Sequence, residues 1–504
     1  MTVSKVRDAA KADADEKGPD PAPGMGDIEE LPRNFGLLSV FAIGYSICAA
    51  PCALLLSLGV IIGSGGQAVL LWGQLLVYFV SLCIAASLAE LASAYPNAGG
   101  QYYWAAVLAP KSCRRLPAFI VGHLSWASAV CACASMLVAL AEMGIAMFSL
   151  RHPDAATPTW VTFLVYQLIN IVMFGLNCWE SLLPRLSRIW LTISMATALI
   201  IFITILARTN DKRSASFVFT GFTNLTGWSD GIAFLTGLLG VNWGLSCLDA
   251  VTHMAEEIPD PRRNIPKALI GTVVVNALLA WPMAIAIAFC IQNIEQLFAP
   301  PTGLASLSLF LQVFKGSTAA PLALQALLFL GGLGAVFGIH TWQARLAWTV
   351  ARDGGLPFAK YTKSIAPAPY GVPFWAHVYS SIFAALLGCL YLGSSAAFNA
   401  FVGSLILMQY LCYSICIVFA LWRGRDNIPR GPFWLGKYGL VCNIVTLAWT
   451  AFALVFYSFP PYNPVTAMSM NYASVVTVGF AVLIAAFYLL FGHKRFASPA
   501  QIDE

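Results

Sequence analysis

Apolar stretches, each about 20 residues long and so able to cross a bilayer as a helix, recur from Phe35 to Phe491 without a long polar interval. That recurrence restricts the fold more than any other feature of the chain. The residues outside these stretches cannot cover a water-facing surface. Of the 504 residues, 59% are hydrophobic and only 10% are charged, against roughly 25% charged in an average soluble domain. The reading is an all-α integral membrane protein with about twelve transmembrane helices, forming one membrane domain over residues 33–491. Spans are expected near 37–61, 68–93, 118–148, 160–180, 187–207, 231–251, 268–291, 320–350, 372–392, 397–422, 438–458 and 471–491. The third and eighth exceed a bilayer crossing, so they tilt or project beyond it.

Residues 1–32 are polar, charged and rich in Ala, Asp, Pro and Gly, which is the composition of a disordered tail. The segment is too long and too acidic for the leading part of a signal peptide, so no processing is expected. Residues 492–504 form a short second tail.

Lys and Arg orient the spans. With the N-terminus inside, 22 of the 28 basic residues fall in inner segments, five in outer loops, and Arg345 lies within a span. So large a bias follows the positive-inside rule and places both termini in the cytoplasm. The net charge of +5 is therefore a topology signal, and no nucleic-acid partner is expected. The thirteen cysteines lie almost all inside apolar stretches and none shows C-x-x-C spacing, so they read as small buried thiols. No metal or cofactor is expected. One sequon, Asn224-Leu225-Thr226, falls in an expected outer loop and is a weak candidate for glycosylation.

Two spans contain helix-breaking residues. Span 1 holds Gly44 and, two turns on, Pro51, which lacks an N–H and clashes with the carbonyl of residue 47. Span 6 holds Gly237, Gly240 and Gly244, with Asn242 and Trp243 between them. In a membrane, broken helix is tolerated where it lines a cavity or is buried in protein. Interruptions five spans apart point to an inverted repeat with a site at the midplane. Freed amides there would attract an anion and freed carbonyls an ammonium. The plainer reading is that these glycines only allow close helix packing.

Four segments carry a family resemblance: SLAELASAYPNAGGQYYWAAVLAP (87–110), DAVTHMAEEIPDPRRNIPKAL (249–269), ARLAWTVARDGGLPF (344–358) and GVPFWA (371–376). Over roughly residues 33–490 the chain resembles the amino acid–polyamine–organocation superfamily, and within it the fungal amino-acid/choline transporter family. The resemblance implies an inverted five-plus-five helix fold with two additional helices. It also implies uptake of amino acids, choline, gamma-aminobutyrate or polyamines, usually driven by protons. The implied solute site is lined by Gly44, Tyr45, Ser46, Cys48 and Ala49, with Asn242, Trp243 and Ser246 opposite and spans 3 and 8 completing it. Two departures fall where the solute is read: Cys48-Ala49-Ala50-Pro51 in span 1, and Val241 and Cys247-Leu248 in span 6. The choice between an amino acid and an organic amine stays open.

Ionisable groups inside spans are expensive and need a reason. Glu90, Asp249, His253, Glu256 and Glu257 lie near inner span ends, and His340 and Arg345 lie in span 8. Asp249 and His253 are four apart, and together they read as a proton-coupling pair. The alternative, which we favour, is an inner gate in which Glu90, Asp249 or Glu256 pairs with Arg345 or Arg352. Glu142 and His340 read mainly as a residue snorkelling outward and a packing residue.

A secondary transporter for a small nitrogenous solute, with the lipid bilayer and protons as its other partners, is the functional reading. The plasma membrane is favoured over an internal one. A membrane enzyme is disfavoured because the six His are scattered without a catalytic or metal cluster. A nutrient sensor on the same fold ranks lower because the tails are short.

Overall fold

A computed structural model describes residues 31, 33–467 and 469–497. The expected N-terminal tail lies outside the described residues except for Leu31, as does the C-terminus from 498 onward. Among the described residues the fold is helical, with a single isolated antiparallel bridge between Ser64 and Asn224.

Twelve helical spans among the described residues are long and apolar enough to cross a membrane: span 1 Leu37–Leu56, 2 Val69–Ala94, 3 Arg115–Arg151, 4 Thr159–Leu176, 5 Glu180–Arg208, 6 Asp230–Met254, 7 Pro261–Cys290, 8 Ala319–Arg352, 9 Phe374–Gly393, 10 Ala397–Arg423, 11 Lys437–Phe456 and 12 Ala473–Arg495. Span 3, with 37 residues, is about 55 Å long at helical rise, well beyond a hydrocarbon core.

An odd number of spans per repeat turns the second repeat over relative to the first, and the packing follows that inversion. Span 2 packs on span 7, span 3 on span 8 and span 4 on span 9, each the equivalent of its partner. The contact of span 3 with span 10 is matched by that of span 8 with span 5. Spans 11 and 12 lean on spans 2 and 10 from outside the repeats. Burial separates the layers: 83% of span 1's apolar window is inside the protein and only 17% of span 12's. Large apolar side chains on the outer spans, such as Ile171, Leu199, Val475 and Leu483, are exposed, as lipid-facing residues must be.

Both expected breaks exist, but not at every glycine. Span 1 is an unbroken helix from Leu37 to Cys48, turns at Ala49 (φ 34°), and restarts as Ala50–Leu56. Pro51 is the second residue of that restarted piece, a position where its missing N–H does no harm. Gly44 lies inside the unbroken part, where an added Cβ would meet Thr272 Oγ1 and Val251 Cγ2 at 2.6 Å. Span 6 is helical over Asp230–Trp243, breaks across 244–247, and resumes as a 3₁₀ segment, Leu248–Met254, after Cys247 at φ 64°. Gly237 and Gly240 precede that break. A Cβ on Gly237 would lie 2.8 Å from Ser64 O, and one on Gly240 2.9 Å from Ile61 Cγ1. Gly44, Gly237 and Gly240 therefore serve close helix packing, which corrects the expectation that they open the helices.

Candidate functional site

The two breaks meet at one cavity. Ile47, Cys48, Ala49 and Cys52 of span 1 face Trp243, Ser246 and Cys247 of span 6 across it. Ala132 and Met136 of span 3, Leu328, Gly332, Ala335 and Ile339 of span 8 and Leu405 of span 10 close the sides. The space between these walls, open solvent at its mouth included, is about 510 Å³. No charged side chain among the described residues lines it.

Of the residues expected to line the solute site, Cys48, Ala49, Trp243 and Ser246 line this cavity. Gly44, Tyr45, Ser46 and Asn242 do not, and this corrects their expected placement. The first three lie below the break, where the first half-helix is sealed by its neighbours. Tyr45 is fully buried in a cluster with Ala42 and Leu191 of span 5, and Ser46 is buried as well. Asn242 is held behind the wall, its Oδ1 accepting the Tyr410 hydroxyl at 2.7 Å. Cys52, Cys247 and the residues from spans 8 and 10 were not foreseen one by one. The small residues of span 8, Gly332 and Ala335, were the available signal.

The end of the bundle that carries the start of span 1, rich in Lys and Arg, is here called the basic face. Ion pairs seal the cavity on that side. Arg345 of span 8 grips Glu257 with two hydrogen bonds, Nε to Oε1 at 2.9 Å and Nη2 to Oε2 at 2.8 Å. Arg352, two helical turns further on, pairs with Glu256 at 3.0 Å and lies over the Trp348 ring. The Glu257 carbonyl accepts the Phe35 amide at 3.2 Å, which ties the start of span 1 to this seal. The Glu256–Arg352 pair matches one expected gate contact. Glu90 does not reach span 8; it takes two 2.7 Å hydrogen bonds from Arg425, in the loop between spans 10 and 11. Arg345 takes Glu257 rather than any of the three acids proposed for it.

The loop after span 2 fits into the same seal. Gly100, at φ +50°, lies so close to His253 and Thr252 that a Cβ would approach both at 2.8 Å. Tyr102, on the short helix Gln101–Leu108, donates its hydroxyl to Asp353 Oδ2 at 2.8 Å. Burial first, and the Asp353 carboxylate second, hold its phenol well above its ordinary pKa, so it remains a donor.

Asp249 and His253 are brought together as their spacing suggested, although on a 3₁₀ segment. Both are completely buried, with His253 Nε2 3.6 Å from Asp249 Oδ2. His253 Nδ1 is 2.7 Å from the Ala98 carbonyl, and Asp249 Oδ1 accepts the Tyr413 hydroxyl at 2.6 Å.

The remaining candidates are accounted for by local partners. His340 Nδ1 is 2.9 Å from His377 Nε2. Glu142 accepts the Tyr391 hydroxyl at 3.2 Å. Asn224 is poorly placed for glycosylation. Its amide nitrogen donates to Trp228 O at 2.7 Å and Asp230 Oδ1 at 2.9 Å, and the sequon hydroxyl of Thr226 is buried.

A family model described as amino acid permease matches residues 35–481. A choline transporter of Saccharomyces cerevisiae is 38% identical over 486 residues, covering 96% of this chain and 85% of the relative. A swainsonine transporter of Arthroderma benhamiae is 39% identical over 477 residues, covering 94% of each. A GABA-specific permease of Saccharomyces cerevisiae is 29% identical over 494 residues, covering 94% of this chain and 84% of the relative.

Proposed function

The chain belongs to the amino acid permease family, and on that premise we propose that it is a proton-coupled secondary permease working by alternating access around the cavity between spans 1 and 6. Membership makes it a multi-pass membrane transporter of amino acids or organic cations and not an enzyme. The observation that carries the finer reading is the pairing of a cavity at two helix breaks with a seal of ion pairs on the basic face. A solute enters from the opposite face. The pairs Arg345–Glu257 and Arg352–Glu256 then separate to release it, since alternating access needs contacts that form in one state and break in the other.

Proton coupling is assigned to Asp249 and His253. The Ala98 carbonyl can only accept, so His253 Nδ1 carries a hydrogen. With His253 neutral and Asp249 ionised, Nε2 and Oδ2 would face each other as two lone pairs at 3.6 Å. One proton on either group turns that repulsion into attraction, so the pair is a one-proton site. The other titratable side chains around Asp249 are Tyr413, Cys48, Cys247 and Cys412. The basic face is cytoplasmic by the positive-inside rule, which puts both termini in the cytoplasm, and the membrane is the plasma membrane.

Uptake into proteoliposomes under an imposed proton gradient tests the whole reading. One labelled solute is competed against choline, gamma-aminobutyrate, basic amino acids and polyamines. Saturable, gradient-dependent uptake of at least one of these is expected; its absence across the panel overturns the proposal.

A further inference from the structure

The hydrogen bonds at the two breaks bear on which solutes the cavity accepts. A carboxylate bound at a helix break needs free N–H groups at the start of the following half-helix. Beyond the span 1 break none is left over. The Ala49 amide donates to Tyr45 O at 2.6 Å, and the Cys52 and Ala53 amides both return to Ala49 O. Pro51 has no N–H. The Ala50 amide, which would point into the gap, donates to Asn276 Oδ1 of span 7 at 2.7 Å. The Asn276 side chain is completely buried, and its own Nδ2 donates to Thr272 O at 2.8 Å. That second bond settles which end of the amide faces Ala50. At the span 6 break the Cys247 amide is occupied in the same way, donating to Gln409 Oε1 of span 10 at 3.1 Å.

The carbonyls are left in the opposite condition. Pro51 cannot donate to Ile47 O, and the diversion of Ala50 and Cys52 leaves Ser46 O and Cys48 O without their helical donors. None of these three oxygens receives a hydrogen bond from a described residue. Ile47 and Cys48 line the cavity. The half-helices Leu37–Cys48 and Asp230–Trp243 both end at the cavity, so both present the negative end of a helix dipole. Half-buried Trp243 adds an aromatic wall of the kind that receives ammonium groups.

We infer that the solute is an organic cation without a carboxylate, and that Asn276, by occupying the Ala50 amide, is the residue that excludes carboxylates. The inference rests on the permease reading above and narrows its solute class. Asn276 does not line the cavity; it acts through the backbone, as a positioning residue.

The test uses the full-length protein in proteoliposomes and pairs of compounds that differ by a carboxylate: choline and glycine betaine, propylamine and gamma-aminobutyrate, cadaverine and lysine. In each pair that contains a transported compound, the carboxylate-free member is expected to inhibit or enter at least about tenfold better, the discrimination a site gives when a polar group finds no partner. Asn276→Ala, which frees the Ala50 amide, is expected to narrow that gap while the cation still enters. The wild-type comparison decides the matter even if the variant does not fold. Carboxylate members that match or beat their partners overturn this inference and leave the permease reading standing. No saturable uptake of any of the six compounds, or of any other basic amino acid or polyamine, overturns both.

Discussion

Arg345 and Glu257 form a two-pronged ion pair at 2.9 and 2.8 Å, with each side chain only 1% exposed. Partners this deeply buried depend on one another, because a lone charge left in place has neither water nor counter-ion. Arg345→Ala is expected to destabilise the purified protein by about 3–5 kcal/mol, read as a fall in its thermal unfolding midpoint. The double variant Arg345→Leu with Glu257→Leu removes both charges. It should recover most of that loss yet remain inactive in uptake, since the contact that must break and reform is gone. Uptake at the wild-type rate in the double variant would remove the pair from the gate.

Trp243→Ala is expected to abolish saturable uptake while surface expression persists. The ring lines the cavity at the end of the first half of span 6 and is only half-buried, so its loss removes a wall of the cavity. Normal uptake in this variant would take span 6 out of the solute site.

Asp249→Asn deletes the titratable oxygen facing His253 Nε2. Solute exchange should continue, but acidification of the solute-entry side should no longer drive accumulation. A pH dye trapped in the vesicles reads this directly. Proton entry with solute in Asp249→Asn vesicles would place coupling elsewhere.

Two glycines of span 6 should separate packing from propensity. A side chain on Gly237 runs into Ser64 O at 2.8 Å, whereas nothing lies within 4 Å of a Cβ on Gly231. Gly237→Val should lower stability by about 1–3 kcal/mol, the range for overpacking, and Gly231→Ala should leave it unchanged or slightly raised. Thermal unfolding of both variants checks the contrast.

Asn224 is expected to carry no glycan, because its amide nitrogen already makes two hydrogen bonds. Endoglycosidase treatment of the protein expressed in a eukaryotic host should leave its gel mobility unchanged.

The spans could be read from the sequence, with no end misplaced by more than seven residues, because hydropathy is a one-dimensional property. The same holds for the break near Pro51, since a missing N–H belongs to the residue itself. The exact turning points could not be read. Ala49 and Cys247 adopt positive φ, which their residue types do not favour; the packing of other spans holds them there. Glycine was ambiguous for the opposite reason, as it suits both a break and a close approach. Gly44, Gly237 and Gly240 proved to be close approaches. Of the cavity's lining, Cys48, Ala49, Trp243 and Ser246 could be named from the sequence, while Cys52 and Cys247 could not, because a cysteine in an apolar run looks like any other small buried residue.

By itself, the sequence determined that this chain crosses the membrane about twelve times, that its basic residues gather on one face, and that spans 1 and 6 are interrupted. These follow from composition, charge and residue type along the chain. Tertiary structure decided the rest. It paired Glu257 with Arg345 and sent Glu90 to Arg425. It also brought Asn276, 226 residues away, to the Ala50 amide. Such partners are chosen by where helices distant in sequence come to rest, and the residues near them in the chain do not record it.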